Sequence, residues 1–238
     1  TDEKWLVPHF EKMLYDNAQL ISLYSKAYQA TGNTDYIETA EKTMLFAERE
    51  LLDISGGFYA SIDADSEHEE GKFYVWSKQE IDALCAENAE WVTNFYGITE
   101  SGNWEHGKNI LHRTNYATEL LQKSPEYKDK ISQIDQKLLA ARNKRIRPTT
   151  DDKILCAWNA MMISAYVSLF KTTGNSMYLQ KAKNTASFIE KYLLKEDGSL
   201  FRVYKEEKVS VDAFLDDYAF FMQALIDLYE ICFDPEYL

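Results

Sequence analysis

Two carboxylates stand two residues apart in Asp63-Ala64-Asp65. On an extended strand that spacing puts both on one face. A facing pair of carboxyl groups is what glycosidic bond cleavage needs, one as acid and the other as base or nucleophile. The surrounding residues 56–76 alternate on either side of the acidic tip Ser66-Glu67-His68-Glu69-Glu70, which predicts short strands over 57–62 and 72–76 paired as a hairpin. A solvated, charge-rich loop tip has the same composition. A calcium loop fits poorly, because it needs Gly at position six and Glu at twelve.

Two further carboxylate pairs precede apolar segments: Asp151 and Asp152 in Thr149-Thr150-Asp151-Asp152-Lys153, and Asp216 and Asp217 in Leu215-Asp216-Asp217-Tyr218. Acids at such positions either cap the helix that follows and complement its dipole, or present themselves to a ligand at the helix N-terminus. His9, in Val7-Pro8-His9-Phe10, is placed to open a helix behind Pro8, and an imidazole suits general-base work near neutrality. The candidate catalytic residues are therefore Asp63, Asp65, Asp151, Asp152 and His9. Trp104, Glu105, His106 and Asn109, in Gly102-Asn103-Trp104-Glu105-His106-Gly107-Lys108-Asn109, form a polar and aromatic cluster able to stack on a sugar and hydrogen-bond to it, or to pack on a neighbouring hairpin. Trp104, Glu105 and Asn109, with Trp76, Trp158, Asn159, Asp216 and Asp217, make up the candidate substrate-binding set. No G-x-G, Walker loop, H-E-x-x-H or G-x-S-x-G occurs, so nucleotide binding, zincin and α/β-hydrolase chemistry are unsupported. No metal or cofactor is expected.

An internal repeat predicts the elements that position these residues. Asn17-Ala18-Gln19-Leu20-Ile21-Ser22 returns as Asn159-Ala160-Met161-Met162-Ile163-Ser164, an offset of 159 − 17 = 142. The same offset carries Thr31-Gly32-Asn33 onto Thr173-Gly174-Asn175 and Gly56 onto Gly198 without a gap. Each copy reads as an inner helix apolar all round, a short turn with its glycine in the left-handed region, and an outer helix with one apolar stripe. The stripes are Tyr36, Ala40, Met44, Ala47, Leu51 and Tyr178, Ala182, Ala186, Ile189, Leu193. Inner helices are expected near 9–30, 155–171 and 216–233, and outer helices near 35–52 and 177–194, with Thr34 and Ser176 as caps. A diverged unit fills 77–149. Repeated hairpins of this kind close into a toroid or stack as a solenoid, and long insertions favour the toroid. The long connections should gather at one rim, where functional residues concentrate.

Bulk composition narrows the partners. Hydrophobic residues make up 45% and aromatics 14%, enough for a sizeable core. The net charge of −13 disfavours nucleic acid and anionic membranes. Cys85, Cys156 and Cys232 are far apart and odd in number, which fits buried thiols in a reducing compartment. No apolar run approaches the roughly 18 residues of a membrane span, and no leader pattern opens the sequence, so a cytoplasmic location is expected.

Several blocks carry a specific resemblance. They are Trp5-Leu6-Val7-Pro8-His9-Phe10-Glu11-Lys12-Met13-Leu14-Tyr15-Asp16-Asn17-Ala18, Asp63-Ala64-Asp65-Ser66-Glu67, Gly71-Lys72-Phe73-Tyr74-Val75-Trp76, Gly107-Lys108-Asn109-Ile110-Leu111 and Asp151-Asp152-Lys153-Ile154-Leu155 with Ala157-Trp158-Asn159. Together they resemble the YyaL-type, spermatogenesis-associated protein family. That resemblance implies a thioredoxin-like domain followed by an (α/α)₆ toroid related to N-acylglucosamine 2-epimerases and six-hairpin glycosidases. It supplies no catalytic assignments; the related epimerases use histidine and the related hydrolases use carboxylates. The expected fold is all-α, an (α/α) toroid incomplete in this chain, with short β-hairpins at the rim. It is read as one domain, 1–238, with hairpins about 9–52, 78–146, 155–194 and 214–238. The expected function is a carbohydrate-active module, glycosidase-related or epimerase-like, taking a small-molecule sugar and packing against the rest of its polypeptide. The alternative is a non-catalytic toroid serving as a ligand- or protein-binding platform for a thioredoxin-like redox domain.

Overall fold

The computed structural model describes residues 2–124 and 126–238. In chain order its elements are β1 (Lys12–Met13), α1 (Leu14–Thr31), α2 (Thr34–Leu51), β2 (Ser61–Ile62), β3 (Asp65–Ser66), β4 (Glu69–Glu70), α3 (Lys78–Cys85), α4 (Ala89–Tyr96), α5 (Asn115–Lys123), α6 (Tyr127–Arg142), β5 (Thr150–Asp151), β6 (Ile154–Leu155), α7 (Cys156–Thr173), α8 (Ser176–Tyr192), β7 (Phe201–Lys205), β8 (Lys208–Asp212) and α9 (Leu215–Cys232). Two compact units result. The first takes the chain up to Glu11 together with Asp63–Thr149, and the second takes Lys12–Ile62 with Thr150–Leu238. Among the described residues no helix is long and apolar enough to cross a membrane.

The second unit realises the repeat as two hairpins, α1–α2 and α7–α8, followed by α9. α7 is apolar over most of its surface because most of that surface is covered. Ala157, Ala160, Met162, Ile163, Ala165, Tyr166, Val167 and Leu169 are each at most 1% exposed. At roughly 1.5–3 kcal/mol for each large apolar side chain removed from water, this helix anchors the unit. The outer helices bury the expected stripes, Ala40, Met44, Ala47 and Leu51 on α2, and Tyr178, Ala182, Ala186 and Ile189 on α8, with Leu193 just beyond it. Gly32 and Gly174 both sit at φ +70, and a Cβ added to either would meet nothing within 4 Å, so the requirement for glycine lies in the backbone conformation and not in space. The caps differ from expectation by one residue. Asn33 and Asn175, not Thr34 and Ser176, accept the N–H groups of Asp35 and Met177, each at 3.0 Å.

Helix boundaries otherwise fall within one or two residues of expectation, except at the first. α1 begins at Leu14, not near residue 9, because Lys12 and Met13 are drawn into a ladder with Ile62 and Ser61. His9 therefore opens no helix. The order of the sheet is β1-β2-β5, with Ser61 opposite Asp151, and a second sheet runs β6-β7-β8. Neither Asp151 nor Asp152 caps α7. Asp151 is held in strand β5, and the residue preceding the helix is Leu155, which makes no side-chain cap bond.

The first unit departs further from the hairpin plan. The segment expected to form one diverged hairpin holds four shorter helices, α3 to α6. Its first helical pattern breaks at Ala86, which takes φ +45. Buried clusters form around Trp76, Ile81, Val92 and Leu138, around Phe10, Val75 and Ile110, and around Phe95, Ala117 and Ile131. Residues 57–62 and 72–76 do not pair. Phe73, Val75 and Trp76 are core residues, 2–4% exposed, and the Trp76 backbone bonds to Asn109. The short hairpin is instead β3–β4, with Asp65 opposite Glu70 and Ser66 opposite Glu69.

Candidate functional site

In the second unit the three inner helices α1, α7 and α9 run parallel. At their N-terminal ends, Asp217 of α9 accepts the Ala157 N–H of α7 at 2.9 Å. At their C-terminal ends, Gln29 of α1 bonds Thr172 of α7 at 2.8 Å, and Lys171 of α7 pairs with Glu230 of α9 at 3.0 Å. An 18-residue helix is about 27 Å long, so the glycine turns and the strand-bearing connections lie at opposite ends of this unit. The N-terminal end is its rim.

The rim carries several carboxylates with assigned cations. Asp151 meets Lys153 at 2.6 Å, Asp152 meets Lys205 at 2.6 Å, and Asp216 meets Arg202 at 3.0 Å. Asp16, in the first turn of α1, is exposed. Trp158 of α7 packs edge-to-face on Tyr15 of α1, with ring centroids 4.9 Å apart. Tyr59 donates to Asp53, and its phenol is pushed up to about 12 by that bond first, then by burial and the charges of Asp53 and Asp152. Tyr15, Asp16, Tyr59 and the cations Lys153, Arg202 and Lys205 were not picked out from the sequence. Arg202 and Lys205 lie on β7, whose pairing with β6 and β8 joins distant segments, so no local motif marks them.

From this rim a groove of about 720 Å³ runs along the three inner helices. Asp16 stands at its rim end. Polar groups from each helix line it, including Gln19, Ser22, Ser164, Gln223 and Asp227, with Met161 and Phe220 as apolar surface. Ser164 donates to Asp227 at 2.6 Å and Gln223 donates to the other oxygen at 2.9 Å, so the Asp227 carboxylate is held in place.

Two of the candidate binding residues in this unit sit inside it. Asp217 is 0% exposed; besides Ala157 it accepts the Phe214 N–H at 2.9 Å and Arg202 at 2.7 Å, and so ties together the starts of two helices. Asn159 is 0% exposed, accepts the Phe58 N–H at 2.7 Å and donates to the carbonyls of Phe58 and Leu155, each at 3.0 Å. Its repeat mate Asn17 likewise donates to the carbonyl four residues earlier, Met13, at 2.7 Å. An Asn at the same helical position of both copies was the available signal for a fold-building role.

In the first unit Asp63 and Asp65 are both exposed, and Asp63 turns back to accept the Asp65 N–H at 3.2 Å. His9 and Glu105 are exposed. Asn109 is 0% exposed, accepting the Thr99 N–H at 2.9 Å and donating to the Thr99 carbonyl at 3.1 Å. Trp76 is buried beneath the Arg145 guanidinium, 4.0 Å from its ring. Trp104 packs on Phe10 at 5.3 Å. Among the described residues no group of three or more His, Cys, Asp or Glu side chains is arranged to hold a metal ion.

No family model matches the chain. Spermatogenesis-associated protein 20 of Homo sapiens is 34% identical, over 97% of this chain and 34% of that protein. The protein of the same name from Mus musculus is 32% identical over 100% of this chain and 35% of its own length. The chain thus spans about a third of the length of these relatives. Among solved structures, a cellobiose 2-epimerase from Spirochaeta thermophila superposes with a TM-score of 0.57 at 13% identity, over 97% of this chain and 41% of that one. A sugar epimerase from a ruminal bacterium gives 0.56 at 14% identity, over 95% and 41%. A family 76 glycoside hydrolase (mannosidase) from Bacteroides thetaiotaomicron gives 0.52 at 13% identity, over 96% and 41%. These likenesses establish the fold, that of the six-hairpin glycosidase and epimerase toroids. The 34% identity to the human relative, over 97% of this chain, shows that the chain belongs to the spermatogenesis-associated protein 20 family.

Proposed function

We propose that this chain supplies part of a carbohydrate-active toroid, with the sugar held at the rim of the second unit and in the groove below it. The observation that carries this reading is the groove itself: three parallel helices present hydroxyl, amide and carboxylate groups along it, and Asp16 sits at its open end. Such a surface suits a polyhydroxylated ligand, whose hydroxyls need both donors and acceptors and whose ring faces need apolar or aromatic cover. The solved neighbours with this fold are named as sugar epimerases and glycoside hydrolases, which supports the same ligand class. Hydrolysis is the reaction that the rim serves best, since it offers several carboxylates, Asp16, Asp151, Asp152 and Asp216, from which an acid and a base can be drawn. Asp63, Asp65 and His9 remain candidates in the first unit. Met222 and Ile226 on α9 are exposed apolar positions outside the groove. Further hairpins of the intact polypeptide would pack there.

Asp152→Asn tests the rim without disturbing the fold. Asp152 and Lys205 are 42% and 45% exposed, and a pair that open to solvent contributes only about 0–1 kcal/mol. The expected outcome is an unchanged melting temperature with sugar turnover or binding weakened about tenfold or more, the loss of one charge-assisted hydrogen bond. Equal sugar affinity in variant and parent, measured by calorimetry, would remove Asp152 from the site.

A further inference from the structure

The first unit holds a cavity of about 380 Å³ between the β3–β4 hairpin and the segment that follows α6. Its local charge runs against that of the whole chain, which has 39 acidic and 26 basic residues. Arg142-Asn143-Lys144-Arg145-Ile146-Arg147 places four cations in six residues with no acid among them. Lys144 and Arg145 line the cavity, and Lys108 joins them from the loop after α4.

The carboxylate that pairs with Arg145 and Lys108, Glu80, is already committed. Glu80 accepts Arg145 at 3.0 Å on one oxygen. Its other oxygen receives Lys108 at 3.4 Å, the Ser77 N–H at 2.7 Å and the Ser77 hydroxyl at 2.8 Å. Arg145 is fixed in place by two more bonds, to the carbonyls of Phe73 at 2.9 Å and Val75 at 2.7 Å. The Lys144 ammonium has no acidic partner among the described residues, since the other acids of the cavity, Glu67 and Glu69, both face Lys72 at 3.3 and 3.6 Å. One wall therefore holds three cations against one carboxylate, and Arg145 is only 21% exposed. Partial burial strengthens the pull of such a wall on an anion, because solvent screens it less. The volume suits a small ligand, and Phe73 and Val75 offer apolar surface beside the charges.

We infer that this cavity binds a small molecule through a phosphate or carboxylate group, received by Lys144, Lys108 and Arg145. The inference is independent of the sugar site. Inorganic phosphate and acetate are titrated separately into nitrogen-15-labelled protein, at constant ionic strength set with sodium chloride. The amide shifts of Lys144, Arg145 and Ile146 are then followed. At least one of the two anions is expected to saturate, and the tighter of the two identifies the headgroup. Lys144→Glu should weaken that binding about tenfold or more, whereas Lys144→Arg should keep it within about twofold. Lys123→Glu, at a 75% exposed lysine on α5 outside the cavity, should leave it unchanged. Saturation by neither anion overturns the inference. So does an equal loss in Lys144→Glu and Lys123→Glu, which would mark a general charge effect.

Discussion

Asp217→Ala is expected to lower the stability of the second unit by about 2–4 kcal/mol, since a backbone N–H left buried without its acceptor costs about 1–3 kcal/mol and Asp217 serves two. The carboxylate is fully buried and accepts the backbone N–H groups of Ala157 and Phe214 as well as Arg202. Arg202 keeps Asp216 at 3.0 Å, so its charge is not abandoned. The cost therefore falls on the two N–H groups at the starts of α7 and α9. Ala157 is 1% exposed, and water cannot take the place of the lost acceptor there. Cys156 provides a second readout. Its thiol is pushed up to about 12 by burial first and then by the Asp217 charge, with Arg202 pulling the other way. In the parent it should resist alkylation at pH 8, and in the variant it should label at the rate set by opening of the α7 start. A chemical-denaturation midpoint within error of the parent would refute the linking role.

Asn159→Ala is expected to cost about 2–4 kcal/mol, because it orphans the N–H and carbonyl of Phe58, each worth about 1–3 kcal/mol when buried without a partner. Phe58 is 0% exposed and its two backbone groups bond to the Asn159 amide, which acts as a short stretch of strand. Asn159→Leu should do no better, since restoring volume leaves the same groups unpaired. The repeat supplies an internal control. Asn17 makes only the bond to the Met13 carbonyl and is half-buried, so Asn17→Ala should cost about 0.5–1.5 kcal/mol. Equal losses at the two positions, by urea denaturation, would mean that the Phe58 pairing contributes little.

Much of the helical framework was legible because it is local and repeated. The mostly apolar α7, the stripes of α2 and α8 and the paired glycine turns each follow from side-chain period or backbone conformation, and the offset of 142 gave every reading a second copy. What failed was non-local. Nothing in Pro8-His9-Phe10-Glu11 announces that the next two residues pair with Ser61–Ile62 and hold off the helix until Leu14. Lys72 to Trp76 reads as a strand with Phe73 and Val75 on one face, yet Phe73, Val75 and Trp76 all fill the core of the first unit after a turn at Gly71, whose φ is +74 and where a Cβ would come within 2.7 Å of Phe10. Asp151 and Asp152 carry the composition of a helix cap, but strand pairing of Asp151 moved that task away. The candidate site was legible as a list of residue types and only partly as an arrangement. The sequence could not separate carboxylates that face solvent, such as Asp152, from one that is spent on the fold, Asp217. The groove needs three helices set side by side, and Asp16 acquires its interest only from that placement.

Sugar chemistry at the rim of the inner helices is the proposed activity of this fold. Proton NMR of the intact polypeptide with a panel of disaccharides in deuterated water reads it most directly. New reducing-end anomeric signals report hydrolysis, and deuterium entering the carbon beside the anomeric centre reports epimerisation. The expected result is turnover of at least one sugar in the parent, by hydrolysis first, and at least a tenfold loss in Asp16→Asn and Asp152→Asn with both variants folded. A parent that turns over no sugar and binds none would contradict a carbohydrate-active rim.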